Sequence, residues 1–168
     1  MLIYRFYPMT RDKAIEISNW KYEEPYSIYN MEESDECISE LLNGEYYYVL
    51  DLQKSLVGFI CSGNSARVPG GYEVGLYNNN ETLDVGLGLR PDITGLGKGQ
   101  EFLTHCISFL KDQFKVQNFQ LVVAEFNKRA IKVYERTGFA KGLSFKSKVK
   151  DQEVNFIVMS YPHDEQNF

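Results

Sequence analysis

Apolar positions along the chain recur with either a strand or a helix period, and their succession predicts the elements in order. Residues 2–7 are β-rich and stop at Pro8, which predicts a first strand. Thr10 then caps a helix carrying Ala14, Ile15 and Ile17 on one face. The stretch Trp20-Lys21-Tyr22-Glu23-Glu24-Pro25-Tyr26-Ser27-Ile28-Tyr29 is aromatic and interrupted by proline, hence a loop or a short broken helix. Ser34 or Asp35 opens a second helix through Leu42, ended by Asn43-Gly44. Residues 45–50 and 56–61 are β-rich runs joined by 51–55, a hairpin pattern. Residues 62–80 are polar and glycine-rich, with Pro69-Gly70-Gly71 and Asn78-Asn79-Asn80, and read as a long loop.

Residues 82–89 form a further strand, closed by Arg90-Pro91. Phe102, Leu103, Cys106, Ile107, Leu110 and Phe114 then recur at helical spacing. Residues 119–123 are a short apolar strand, and 127–136 a helix with Ala130, Ile131, Val133 and Tyr134 inward, ended by Gly138. Strands at 139–149 and 153–161 pair across 150–152. The strand-helix-strand unit from 82 to 123 is a crossover, which makes its two strands parallel within an otherwise antiparallel sheet. The fold expected is mixed α/β, one domain over residues 1–168.

Composition narrows the function classes. Apolar residues make up 43% and charged ones 24% of the 168 residues, an ordinary globular balance. A net charge of -5 disfavours nucleic acid as the main partner and suits a cationic one, such as an amine. Cys37, Cys61 and Cys106 are odd in number and widely spaced, and read as small core residues rather than a disulfide framework. The N-terminus lacks the pattern of a signal peptide, and no apolar run approaches the ~20 residues that span a bilayer. A cytoplasmic protein without a membrane partner is expected. Neither His105 nor His163 has metal-ligand partners at a useful spacing, so no metal is assigned.

The turn Thr94-Gly95-Leu96-Gly97-Lys98-Gly99 lies between a strand end and a helix start. Glycines there let a ligand approach the backbone, and the first amides of the helix, with its dipole, favour an anion that Lys98 could reinforce. A Walker loop fails, because Asp92 stands where its first glycine belongs and Gly99 follows the lysine. The dinucleotide fingerprint is disfavoured by Gln100. A merely flexible turn is the plain alternative. In the preceding strand Val85, Leu87 and Leu89 alternate with Asp84, Gly86 and Gly88, so one face is nearly bare. Strand glycines mark a close backbone approach, and unpaired amides there suit an amide-rich ligand.

Downstream, Asn127-Lys128-Arg129-Ala130-Ile131-Lys132-Val133-Tyr134-Glu135-Arg136-Thr137-Gly138-Phe139 completes the pattern. With Leu89-Arg90-Pro91 and the glycine turn, this run resembles the two cofactor signatures of the GNAT superfamily of acyl-CoA-dependent N-acetyltransferases. The likeness covers nearly the whole chain by element order and is most specific over residues 83–139. It implies a mixed, mostly antiparallel sheet of about seven strands flanked by four helices. It implies direct acetyl transfer from acetyl-CoA to a primary amine of a small molecule or protein. Where the family usually has Gln or Arg at the start of the glycine signature, this chain has Thr94, losing a long side chain near the pyrophosphate.

The resemblance assigns roles. Backbone groups of Leu87, Gly88 and Leu89 would hold the pantetheine arm, with Asn127 bonding it. Thr94, Gly95, Leu96, Gly97, Lys98 and Gly99 would hold the pyrophosphate. Tyr134 would protonate the departing thiolate. Trp20, Tyr22, Tyr26 and Tyr29 would shape the acceptor site, where aromatic faces suit a cation. Asp84 is the leading candidate base for the amine, with Glu125 and Glu73 behind it. Each role has a plainer rival: Asn127 as an N-cap, Tyr134 and the aromatic cluster as core packing, the carboxylates as structural or solvated groups. A non-catalytic acyl-CoA-binding or sensing module on the same fold is the alternative function, and a longer acyl chain a variant of the first. A homodimer is compatible with the sequence, and the acceptor's identity is not written in it.

Overall fold

The computed structural model describes residues 3–162. Its strands are β1 (Arg5–Pro8), β2 (Tyr46–Leu50), β3 (Leu56–Ser62), β4 (Thr82–Leu89), β5 (Asn118–Ala124), β6 (Ala140–Val149) and β7 (Gln152–Tyr161). The helices are α1 (Arg11–Ser18), α2 (Asp35–Leu41), α3 (Pro69–Glu73), α4 (Gly99–Phe114) and α5 (Lys128–Thr137). One seven-stranded sheet has the order β1-β2-β3-β4-β5-β7-β6. Every pairing is antiparallel except β4 with β5, the pair joined through α4. The strand expected at 2–7 is described from Arg5 and includes Pro8, opposite Tyr47. Proline is tolerated there because β1 is an edge strand. Leu2 and His163 lie outside the described residues.

Both faces of the sheet are covered. Phe102, Leu103, Cys106, Ile107 and Leu110 of α4 pack with Ile131 of α5 on Val57, Ile60, Val85, Phe119 and Leu121. On the other face Ala14 and Ile17 of α1 and Ile38 and Leu41 of α2 cover Leu56, Phe59 and Cys61. The interior strand β3 is therefore buried along its whole length, as a sheet with two covered faces requires. Phe102 and Leu103 are fully buried, each contributing about 2–3 kcal/mol of apolar transfer free energy.

Two local details differ from expectation. Thr10 occupies the N-cap position of α1, yet its hydroxyl donates to Asp12 Oδ1 (2.6 Å) rather than capping a backbone amide. Ser34 does cap α2, its Oγ accepting from the Cys37 amide at 3.2 Å. The stretch 62–80 is not a plain loop: it holds a 3-10 turn (Gly63–Ala66) and α3, a fifth helix beside the four expected. Gly70 explains α3, because a Cβ there would stand 2.1 Å from the Lys146 carbonyl oxygen. Its bare backbone instead presses on β6, and its amide donates to Ser147 Oγ at 2.8 Å. Among the described residues no helix is long and apolar enough to cross a membrane.

Candidate active site

Strands β4 and β5 pair over only three residues each, Thr82↔Asn118, Leu83↔Phe119 and Asp84↔Gln120. Beyond them β4 stays on β3, as far as Gly58↔Leu89, while β5 stays on β7, as far as Ala124↔Phe156. The two strands part and leave a cleft of about 740 Å³. The Arg90 amide bonds Val57 of β3 (2.8 Å), so the alternation of an antiparallel pair turns the backbone of Leu87 and Leu89 the other way, into the gap. Tyr22 confirms that direction, its hydroxyl donating to the Leu89 carbonyl at 2.7 Å. Gly86 and Gly88 are bare for a packing reason as well: a Cβ at Gly88 would meet the Phe59 ring at 2.5 Å, and one at Gly86 the Cys61 sulfur at 2.8 Å.

The glycine turn sits at the mouth of this cleft. Gly95 (φ +76°) and Gly97 (φ +78°) take left-handed backbone that other residues adopt only at a cost. Gly99 starts α4 against α5, since a Cβ there would lie 3.2 Å from Val133. The first bond of α4 runs from the Phe102 amide to the Lys98 carbonyl (3.0 Å), which leaves the amides of Gly99, Gln100 and Glu101 to point outward. Thr94 donates its hydroxyl back to the Pro91 carbonyl (2.7 Å), bracing the turn instead of reaching a ligand. Arg129 of α5 reaches over to this turn. Its Nη1 lies 3.1 Å from the position of a Cβ on Gly95, and its guanidinium stacks over Tyr26 at 4.4 Å.

Asn127 caps α5, its Oδ1 accepting from the Ala130 amide (3.2 Å), and its Nδ2 donates to the Tyr29 hydroxyl (3.2 Å). The cap and the link to the aromatic loop are thus made by one side chain. Tyr134 lines the cleft with its ring 5.9 Å from Phe139, and no hydrogen bond reaches its hydroxyl from any described residue. Burial pushes the Tyr134 phenol well above its ordinary range, and that of Tyr22 up to about 12. Both stay protonated at neutral pH.

Trp20, Tyr22, Tyr26, Tyr29, Leu87, Gly88, Leu89, Thr94, Gly95, Gly97, Gly99, Asn127 and Tyr134 therefore border one cavity. Leu96 and Lys98 do not; both are exposed at the tip of the turn. Asp84 does not either. It is 4% exposed, and both its oxygens are taken, Oδ2 by Arg67 Nε (2.8 Å) and Oδ1 by Gln120 Nε2 (2.7 Å). It pins the point where β4 and β5 part. Glu73 is exposed at the end of α3, and Glu125 lines a separate cavity with Glu24, Lys128 and Lys150. Among the described residues no Asp, Glu or His borders the main cleft. Among the described residues no group of three His, Cys, Asp or Glu could hold a metal.

Sequence reasoning missed the cationic side of the cleft. Arg129, Lys132 and Arg136 all line it, and their i, i+3, i+7 spacing on one helix was the available signal. It also missed Ile17, read as part of the apolar face of the first helix, Phe59, inside a β-rich run, and Met31, to which no role was given.

The model of the acetyltransferase (GNAT) family matches residues 11–139. No curated protein sequence matches the chain significantly. Among solved structures, a GNAT-family acetyltransferase from Bacillus anthracis is similar at TM-score 0.73 and 12% identity, over 98% of this chain and 97% of that one. A chimera of the Vibrio cholerae spermidine N-acetyltransferase SpeG with hSSAT is similar at 0.70 and 17%, over 96% of both chains. A putative phosphinothricin N-acetyltransferase is similar at 0.68 and 14%, over 96% of this chain and 99% of that one. At such identities the likeness is one of fold.

Proposed function

Since the chain belongs to the acetyltransferase (GNAT) family, we propose that it moves an acetyl group from acetyl-CoA directly to a primary amine. The family's cosubstrate is acetyl-CoA, which supplies an acyl carbon already activated as a thioester. The cleft residues suit it. Outward amides at the start of α4, with the helix dipole and Arg129, favour a pyrophosphate. The free edge of β4 at Leu87 and Leu89 offers backbone groups to the amides of the pantetheine arm.

The chain's own residues then act by position. The β4 edge and the glycine turn fix the donor, the aromatic loop receives the amine, and holding both together removes much of the entropic barrier. A carbon–nitrogen bond forms as the carbon–sulfur bond breaks. Among the described residues no carboxylate or imidazole borders the cleft, so the ammonium form of the amine first loses a proton to water. On attack the nitrogen gives up a second proton to water, the sulfur takes one from the Tyr134 hydroxyl, and water returns a proton to the tyrosinate. No covalent enzyme intermediate is involved.

The observation that carries this reading is the placement of Tyr134, protonated and unbonded, in the same cavity as the glycine turn and the aromatic loop. Titration calorimetry with acetyl-CoA, followed by release of free thiol in the presence of amines, tests it. Acetyl-CoA binding that depends on Gly97 and Arg129, with amine-dependent thiol release, is expected. Absence of binding would sink the donor assignment. The missing carboxylate favours a second reading, a non-catalytic acyl-CoA sensor, which binds but releases no thiol with any amine.

A further inference from the structure

The acceptor end of the cleft differs in character from its donor end, and this points to a class of amine. All three charged side chains bordering the cavity, Arg129, Lys132 and Arg136, are cations of α5. The opposite wall is formed by Ile17, Trp20, Met31 and Phe59, with Trp20 and Phe59 rings 6.3 Å apart and tilted by 36°. The Tyr22 hydroxyl, which also lines the cavity, is already spent on the Leu89 carbonyl.

Among the described residues no carboxylate borders this cavity. Glu33 accepts from Asn19 Nδ2 (2.7 Å), Glu24 from the Ser27 hydroxyl, and Glu45 from Ser65 (2.6 Å). A second ammonium seated against this wall would meet aromatic and aliphatic side chains and no anion among the described residues, and an unpaired buried charge is strongly disfavoured. An aromatic or branched apolar body would instead cover Trp20, Phe59 and Met31 while its amine reaches the thioester held along the β4 edge.

Resting on the acetyltransferase reading above, we propose that the acceptor is a monoamine with an aromatic or branched apolar body, and not a polyamine. The transfer is the same: the amine nitrogen gains the acetyl carbon and gives up a proton, and the thiolate leaves protonated.

The test compares 2-phenylethylamine with spermidine under saturating acetyl-CoA, reading free thiol. A kcat/KM at least about tenfold higher for 2-phenylethylamine supports the proposal. Equal or better turnover of spermidine overturns it while leaving the acetyltransferase reading intact. Thiol release with neither, despite acetyl-CoA binding by calorimetry, overturns the proposal, and release with no member of a wider amine panel overturns the acetyltransferase reading as well. Trp20→Leu, and independently Met31→Glu, supply a second readout. Trp20→Leu should raise the KM for 2-phenylethylamine roughly tenfold with acetyl-CoA affinity unchanged. Met31→Glu should shift preference toward spermidine. If both variants bind acetyl-CoA normally and neither changes the ratio between the two amines, this wall does not select the acceptor and the proposal falls.

Discussion

Replacing Tyr134 by Phe removes one oxygen from the cleft and nothing else. The hydroxyl has no bonding partner among the described residues, and the ring keeps its contact with Phe139 at 5.9 Å, so no buried group is orphaned. Stability should therefore change by no more than about 0.5 kcal/mol, the range for substitutions that break no packing or polar network. The rate should fall about 10²-fold, or roughly 2.7 kcal/mol, the lower end for a positioned acid. The lower end applies because a thiolate is a modest base and the open cleft admits water as a substitute. Thiol release measured from pH 6 to 10 reads the effect, with calorimetry checking that acetyl-CoA affinity is unchanged. Burial raises the Tyr134 pKa above its ordinary value of 10, so the acid form is present below that value and lost only as pH rises past it. The wild type should show a rising limb from amine deprotonation and no fall below about pH 10. Full turnover in the variant at every pH would refute the assignment.

Asp84→Asn should behave as a structural change. It should lower stability by about 3 kcal/mol, at the low end for a broken buried pair because Arg67 is 24% exposed, and leave the rising limb of the pH profile where it was. A displaced limb would restore Asp84 as the base. Arg129→Gln should weaken acetyl-CoA binding by about tenfold in calorimetry, with a shallower dependence on salt, since it removes one charge-assisted contact to the pyrophosphate. Unchanged affinity would mean that the glycine turn needs no partner from α5. Alkaline stability follows from the buried phenols: Tyr22, raised from 10 to about 12, and Tyr46 and Tyr134, raised further, hold their protons more tightly when folded. That stability is full below pH 10 and lost as pH rises from 10 through 12 and beyond, so thermal melts should be level from pH 6 to 9 and fall above 10.

Much of this protein is set locally, and local signals are what a sequence displays. The 3.6-residue recurrence from Phe102 to Leu110 became α4, and the crossover from β4 through α4 to β5 became the one parallel pair. Asn127 before the helix and Gly138 after it became the two ends of α5, because capping depends on residues within one turn. The left-handed glycines of the donor turn were legible for the same reason.

Asp84 shows the limit. Its side of β4 follows from alternation, but its partners Arg67 and Gln120 come from a 3-10 turn and a neighbouring strand, and they convert a candidate base into a structural ion pair. Gly70 was a loop residue by composition and became the contact that holds a helix on β6, for want of a Cβ. Arg129 stands beside the glycine turn from a helix more than thirty positions further on, a proximity that only packing creates. The length of the β4–β5 pairing, three residues before the strands part, is written in no local pattern; it follows from how each strand packs on its other neighbour. The conformation of the glycine turn is thus encoded locally. The cleft, its cationic helix and its carboxylate-free apolar wall exist only where distant segments meet.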